Sequence, residues 1–140
     1  MELKESYTEQ ELQNIALARR HIEGFANHNV EQALSVLTDD VIDEDLGEEP
    51  KHGKKEIEDE IRGYLKSFPD LHWEITNCFA HGDQVLIEIK ARATRGPNAL
   101  DGGKPGTQVE FYVSSIEHMS NGQIDHMRAY IIPIELSKKK

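Results

Sequence analysis

The feature that most restricts what this chain can fold into is a change of hydrophobic period at Pro69. Before it, apolar residues recur every three to four positions; after it, they alternate with polar ones. Leu12, Ile15, Ala16, Ile22, Phe25 and Ala26 give one apolar face to a helix running from Glu9 to about Asn27. A shorter stripe of Val30, Ala33, Leu34 and Leu37 predicts a second helix, ending at Thr38-Asp39-Asp40, residues that favour turns and caps. The segment 41–47 reads as a short strand entering a turn, closed by Glu49-Pro50 and Gly53. Ile57, Ile61, Tyr64, Leu65 and Phe68 mark a third helix, which Pro69 stops because it lacks the N–H that the helix needs.

Downstream, alternation predicts four strands. Trp73 and Ile75 share a face of the first, and Val85, Ile87, Ile89, Ala91 and Ala93 share a face of the second. In the third, Val109, Phe111, Val113, Ser115, Glu117 and Met119 fall together; in the last, Asp125, Met127, Ala129 and Ile131 do. His81-Gly82-Asp83 and Ser120-Asn121-Gly122 are tight turns between neighbours. Three helices followed by a meander imply an α+β architecture, with the helices packed on one face of a curled antiparallel sheet. At 140 residues and 37% hydrophobic content, the expectation is one domain over 1–140, with a core of about 9–136 and a solvated basic tail at 137–140. Residues 95–106, rich in Gly and Pro, form a long loop that is either a lid or a disordered segment.

Sixteen Lys and Arg against twenty-six Asp and Glu give a formal charge of −10, which opposes binding to nucleic acid or to an anionic membrane. The lone Cys78 has no disulfide partner and reads as a small buried hydrophobe in a reducing compartment. The first six residues lack an apolar signal core, and no run approaches the roughly 20 apolar residues that span a bilayer, so a cytoplasmic location is expected.

Glu117 is the most informative position, because alternation places its carboxyl on the apolar face of its strand. Such a group has a raised pKa, a buried partner, or a place at the strand end where the face reaches solvent. Asp45 lies in an acidic run, 39–49, which on spacing alone reads as a solvated face and lacks the ligand and glycine spacing of a calcium loop. The seven histidines show no zinc spacing; His21 borders the apolar stripe of the first helix, as a packed residue or a functional one. Gly102-Gly103-Lys104-Pro105-Gly106-Thr107 fails the spacing of a phosphate loop and precedes a strand.

Phe68-Pro69-Asp70-Leu71-His72-Trp73-Glu74-Ile75, Ala80-His81-Gly82-Asp83-Gln84-Val85, Asn121-Gly122-Gln123-Ile124 and Arg128-Ala129-Tyr130 resemble the SnoaL-like polyketide cyclase family of the nuclear-transport-factor-2-like superfamily, over about residues 22–136. That resemblance implies a cone-shaped curled antiparallel sheet, an α+β barrel closed by the three N-terminal helices around an apolar pocket, in a homodimer. Glu44-Asp45-Leu46-Gly47 and Ile116-Glu117-His118-Met119 are further similar to two segments of ketosteroid isomerase. By that resemblance Asp45 takes the place of the general base and Glu117 that of a protonated carboxylic acid donating to the oxyanion, with His21 where the family has its oxyanion-hole tyrosine. Here His replaces Tyr, Glu replaces Asp, and Leu46 stands in place of Pro.

These readings together give an expected enzyme that removes a proton next to a carbonyl, leading to isomerisation, aldol cyclisation or dehydration of a small apolar compound without metal or organic cofactor. Asp45, Glu117 and His21 would be catalytic, and Phe25, Tyr64, Trp73, Phe111, Val113, Met119, Met127 and Ala129 would line the pocket. The alternative is a non-catalytic ligand-binding or dimeric interaction module, in which Glu117 is salt-bridged to Arg92 or Arg128 and Asp45 lies in solvent.

Overall fold

The structure is a computed structural model that describes residues 6–136. The expected basic tail at 137–140 lies outside the described residues. Helix α1 (Glu9–Ala26) opens with a capping box, in which the Thr8 hydroxyl accepts from the Glu11 N–H and the Glu11 carboxylate accepts from the Thr8 N–H. The same carboxylate accepts from the N–H of Gly82, tying the start of the helix to a strand turn 71 residues away. Helix α2 (Val30–Ser35) packs closely on α1, because Gly24 has no side chain: a Cβ there would sit 2.5 Å from the backbone N of Ala33. Helix α3 (Lys54–Ser67) buries Ile57 and Ile61 and ends before Pro69, as its stripe predicts.

Six strands, β1 (Leu37–Asp45), β2 (Lys51–His52), β3 (His72–His81), β4 (Gln84–Thr94), β5 (Gln108–Ser120) and β6 (Gln123–Glu135), form one sheet in the order β2-β1-β6-β5-β4-β3. The meander β3 to β6 is antiparallel throughout. Its inward face carries Val85, Ile87, Ile89, Ala91 and Ala93 of β4 and Val109, Val113 and Met119 of β5, all buried under the helices. Asn121 and Gly122, at φ 50° and 78°, make the tight turn between β5 and β6 that their residue types predict.

The structure corrects four details of the expectation. Leu37 begins β1 instead of ending α2, fully buried and paired with Ile124. β1 then runs parallel to β6, so the sheet is mixed; β2, α3 and β3 to β5 lie between the two strands in the chain, a connection long enough for either sense. The sheet is curled but open, with β2 and β3 as edges, so no barrel closes. A bulge between His118 and Met119 resets the phase at the start of β6: Ile124 turns inward and is fully buried, while Asp125 turns out to meet the His118 ring at 2.6 Å. Cys78 is half-buried against the core.

Candidate functional site

Cross-strand register sets the site. Asp43 of β1 pairs with Met127 of β6, Met127 with Glu117 of β5, and Glu117 with Val85 of β4, so these side chains form one row across the inward face. The next row is Asp45, Ala129, Ser115 and Ile87. Ala129 and Ser115 are small, and the space they leave between larger neighbours is the floor of a cavity under the helices. The cavity has a volume of about 80 Å³ and opens to solvent at its mouth. Phe25, Tyr64, Trp73, Phe111, Val113, Met127 and Ala129 line it; Met119, on the same inward face near the end of β5, is buried in the core and does not.

The three proposed catalytic side chains all reach this cavity. Glu117 is fully buried, and neither carboxylate oxygen has a hydrogen-bond partner among the described residues. Burial alone pushes its pKa up to about 8, so the carboxyl is protonated at neutral pH. It has no ion pair with Arg92 or Arg128; Arg92 bonds to Glu110 instead. Asp45 is partly buried in the wall, not in open solvent. His21 donates from Nδ1 to the carbonyl of Ala33 at 2.7 Å, the only sense in which a carbonyl can pair. Burial pulls its pKa down, so the ring is neutral and Nε2 presents a lone pair, whereas the tyrosine whose place it takes by resemblance would donate.

Two acidic residues complete the site, and both were legible as pattern. Asp43 falls two residues before Asp45 and two after Val41, on the inward face of β1, and is buried. Glu60 falls one turn from Ile57 and Tyr64 on the buried face of α3. Carboxyl oxygens of Asp43, Asp45 and Glu60 lie within 4.8 Å of one another, an oxygen set that a hard cation could use. Burial, then the neighbouring charges of Asp45 and Glu60, pushes Asp43 up to about 8; burial and the Asp45 charge push Glu60 up to about 7. Asp45 is raised by burial and by Glu48, while Lys51 and a hydrogen bond from Glu60 act the other way. Burial also raises the Tyr64 phenol, which stays neutral. The indole Nε1 of Trp73, a residue of the cavity lining, is buried and also lacks a partner among the described residues.

A second cavity adjoins the first through Asp45, Glu60, Tyr64 and Phe111. Leu100 and Asp101 of the 95–106 loop form part of its rim. The loop is ordered by Arg95, which bonds to Asp101 and Glu135, and by the Leu100 N–H donating to the Ser67 hydroxyl.

A curled sheet roofed by helices over an acidic, aromatic cavity defines a class of small pocket proteins. The SnoaL-like domain model matches residues 18–127. The chain belongs to the SnoaL-like family. No curated protein sequence matches it. Among solved structures, a protein of Jannaschia sp. CCS1 assigned as a SnoaL-like polyketide cyclase superposes with a TM-score of 0.83 at 17% identity, covering 91% of each chain. An LEH-like epoxide hydrolase of M. tuberculosis gives 0.69 at 20% identity over 88% of this chain and 85% of its own. A protein of Kribbella flavida DSM 17836 assigned as a ketosteroid isomerase gives 0.68 at 16% identity over 94% and 86%. These likenesses establish the shared fold. Among the described residues no helix is long and apolar enough to cross a membrane.

Proposed function

We propose that this chain is an enzyme that abstracts a proton next to the carbonyl of a small, mostly apolar compound, with no cofactor. The observation that carries the reading is the Glu117 carboxyl, fully buried and without a partner among the described residues, in the wall of a cavity otherwise lined largely by apolar and aromatic side chains. A buried polar group without a partner costs about 1–3 kcal/mol, and the oxygen of a carbonyl ligand would satisfy the Glu117 hydroxyl. In this reading the Asp45 carboxylate takes the proton from the carbon next to the carbonyl. The electron pair moves to the oxygen, and protonated Glu117 donates to the enolate. Asp45 and Glu117 are two strands apart, about 10 Å between backbones, which leaves room for a substrate between them. His21, neutral and with Nε2 free to accept, would relay a proton away from the substrate. Returning the proton to another carbon gives isomerisation; attack of the enolate on a second carbonyl, or loss of a β-hydroxyl, gives cyclisation or dehydration.

The test is turnover on a panel of cyclic ketones and hydroxyketones. Asp45→Asn and Glu117→Gln are each expected to lower kcat by about 100-fold or more. Unchanged turnover in both variants would remove the assignment. We further propose a homodimer through the outer face of the sheet, where Tyr112, Tyr130, Ile132 and Ile134 are exposed side by side on β5 and β6. Sedimentation at micromolar concentration would then give twice the chain mass, and Ile132→Glu would give the monomer.

A further inference from the structure

The cavity is chemically one-sided. Asp43, Asp45, Glu60 and Glu117 all line it, His21 is held neutral, and no Lys or Arg lines it among the described residues. Lys51 lies 3.7 Å from Glu60, but in the wall of the outer cavity. Facing the carboxyls is an aromatic wall: Phe25 packs on Trp73 with ring centroids 4.5 Å apart and on Tyr64 at 6.2 Å. An anion entering here would meet four acidic groups and no lining cation among the described residues, and a neutral ligand would leave Asp43 and Glu60 unused.

From the carboxyl cluster, the unpartnered buried Glu117 and the aromatic wall, we infer that the cavity takes an organic ammonium ion, a basic amine carried on an apolar body. Its N–H groups donate to carboxyl oxygens of Asp43, Asp45 and Glu60, and its positive charge lies against the negative faces of Phe25, Trp73 or Tyr64. Burial keeps the cluster partly protonated when no cation is present, so an entering ammonium draws a proton off it and binding releases that proton to solvent. The inference extends the reading above, adding a basic nitrogen to the carbonyl compound. It stands or falls by ligand charge alone, whereas that reading stands or falls by turnover.

The experiment is a charge ladder of three probes of similar shape: 2-phenylethylammonium, 2-phenylethanol and 3-phenylpropanoate. Binding to the full chain is followed by the fluorescence of Trp73, the single tryptophan, which lines the cavity. At neutral pH the ammonium ion is expected to bind about tenfold or more tighter than the alcohol, and the carboxylate not at all. Calorimetry in two buffers of different ionisation enthalpy should show proton release with the ammonium ion and none with the alcohol. In Asp43→Asn/Glu60→Gln the ammonium affinity should fall about tenfold, towards that of the alcohol. An alcohol or carboxylate that binds as tightly as the ammonium ion, or no binding by any of the three, overturns the inference. So does a preference that survives the double substitution. The ladder on the unsubstituted chain decides the matter even if the double variant does not fold.

Discussion

Replacing Glu117 by Gln removes a titration from the middle of the core while keeping the shape of the side chain. The sign follows from the raised pKa. Below about pH 4.5 the carboxyl is protonated in both folded and unfolded chains and contributes no difference. Between 4.5 and about 8 the unfolded chain gives up the proton and the folded chain keeps it, so the wild type loses stability as pH rises. Each unit of separation is worth about 1.4 kcal/mol, which gives a loss of about 3 kcal/mol by pH 7 and about 5 kcal/mol above pH 8. The glutamine variant does not titrate there. Its buried amide carries a desolvation cost of about 1–3 kcal/mol, but that cost is independent of pH. The quantity to measure is therefore the difference in unfolding free energy between variant and wild type, from urea titrations between pH 4.5 and 8.5. Asp43 and Glu60 titrate in both proteins and largely cancel. The difference should shift by several kcal/mol in favour of the variant as pH rises; a flat difference would show that Glu117 ionises normally and refute both its burial and its role as a protonated donor.

The remaining predictions are smaller. If turnover is found, its pH profile should be a bell: an acid limb above the usual carboxylate range, because burial raises Asp45, and an alkaline limb near 8 from Glu117. The alkaline limb should vanish in Glu117→Gln. Thr8→Ala removes the hydroxyl half of the capping box and should cost about 1 kcal/mol in urea denaturation. Arg95→Ala frees Asp101 and Glu135 from a side chain that is only 9% exposed; amide exchange should quicken across 95–106 while the α1 amides keep their rates.

The faces of the strands were legible because the side-chain period of a strand is two: Val85 to Ala93 point inward as their alternation says, and Glu117 follows from Val109 to Met119. The helices were legible to within a residue or two for the same reason at another period, and Pro69 marked the change. Asp43 and Glu60 carried signals of the same kind, hidden because a run of acids reads first as a solvated surface. The bulge at His118 was not legible, since one unpaired residue changes the phase without changing composition.

The sequence by itself determined the order of helices and strands, the side of each strand that faces the core, and the presence of a carboxyl on an apolar face. These are local properties, written in spacing along one segment. Only the tertiary structure decided that β1 lies parallel to β6, and so that Asp43 and Asp45 share rows with Glu117 and Ser115 across the sheet. Only it closed α3 over them to bring Glu60 within reach, and left Glu117 without a partner. Register between strands distant in sequence depends on the packing of the whole sheet, and the raised pKa values depend on burial that no single segment can supply.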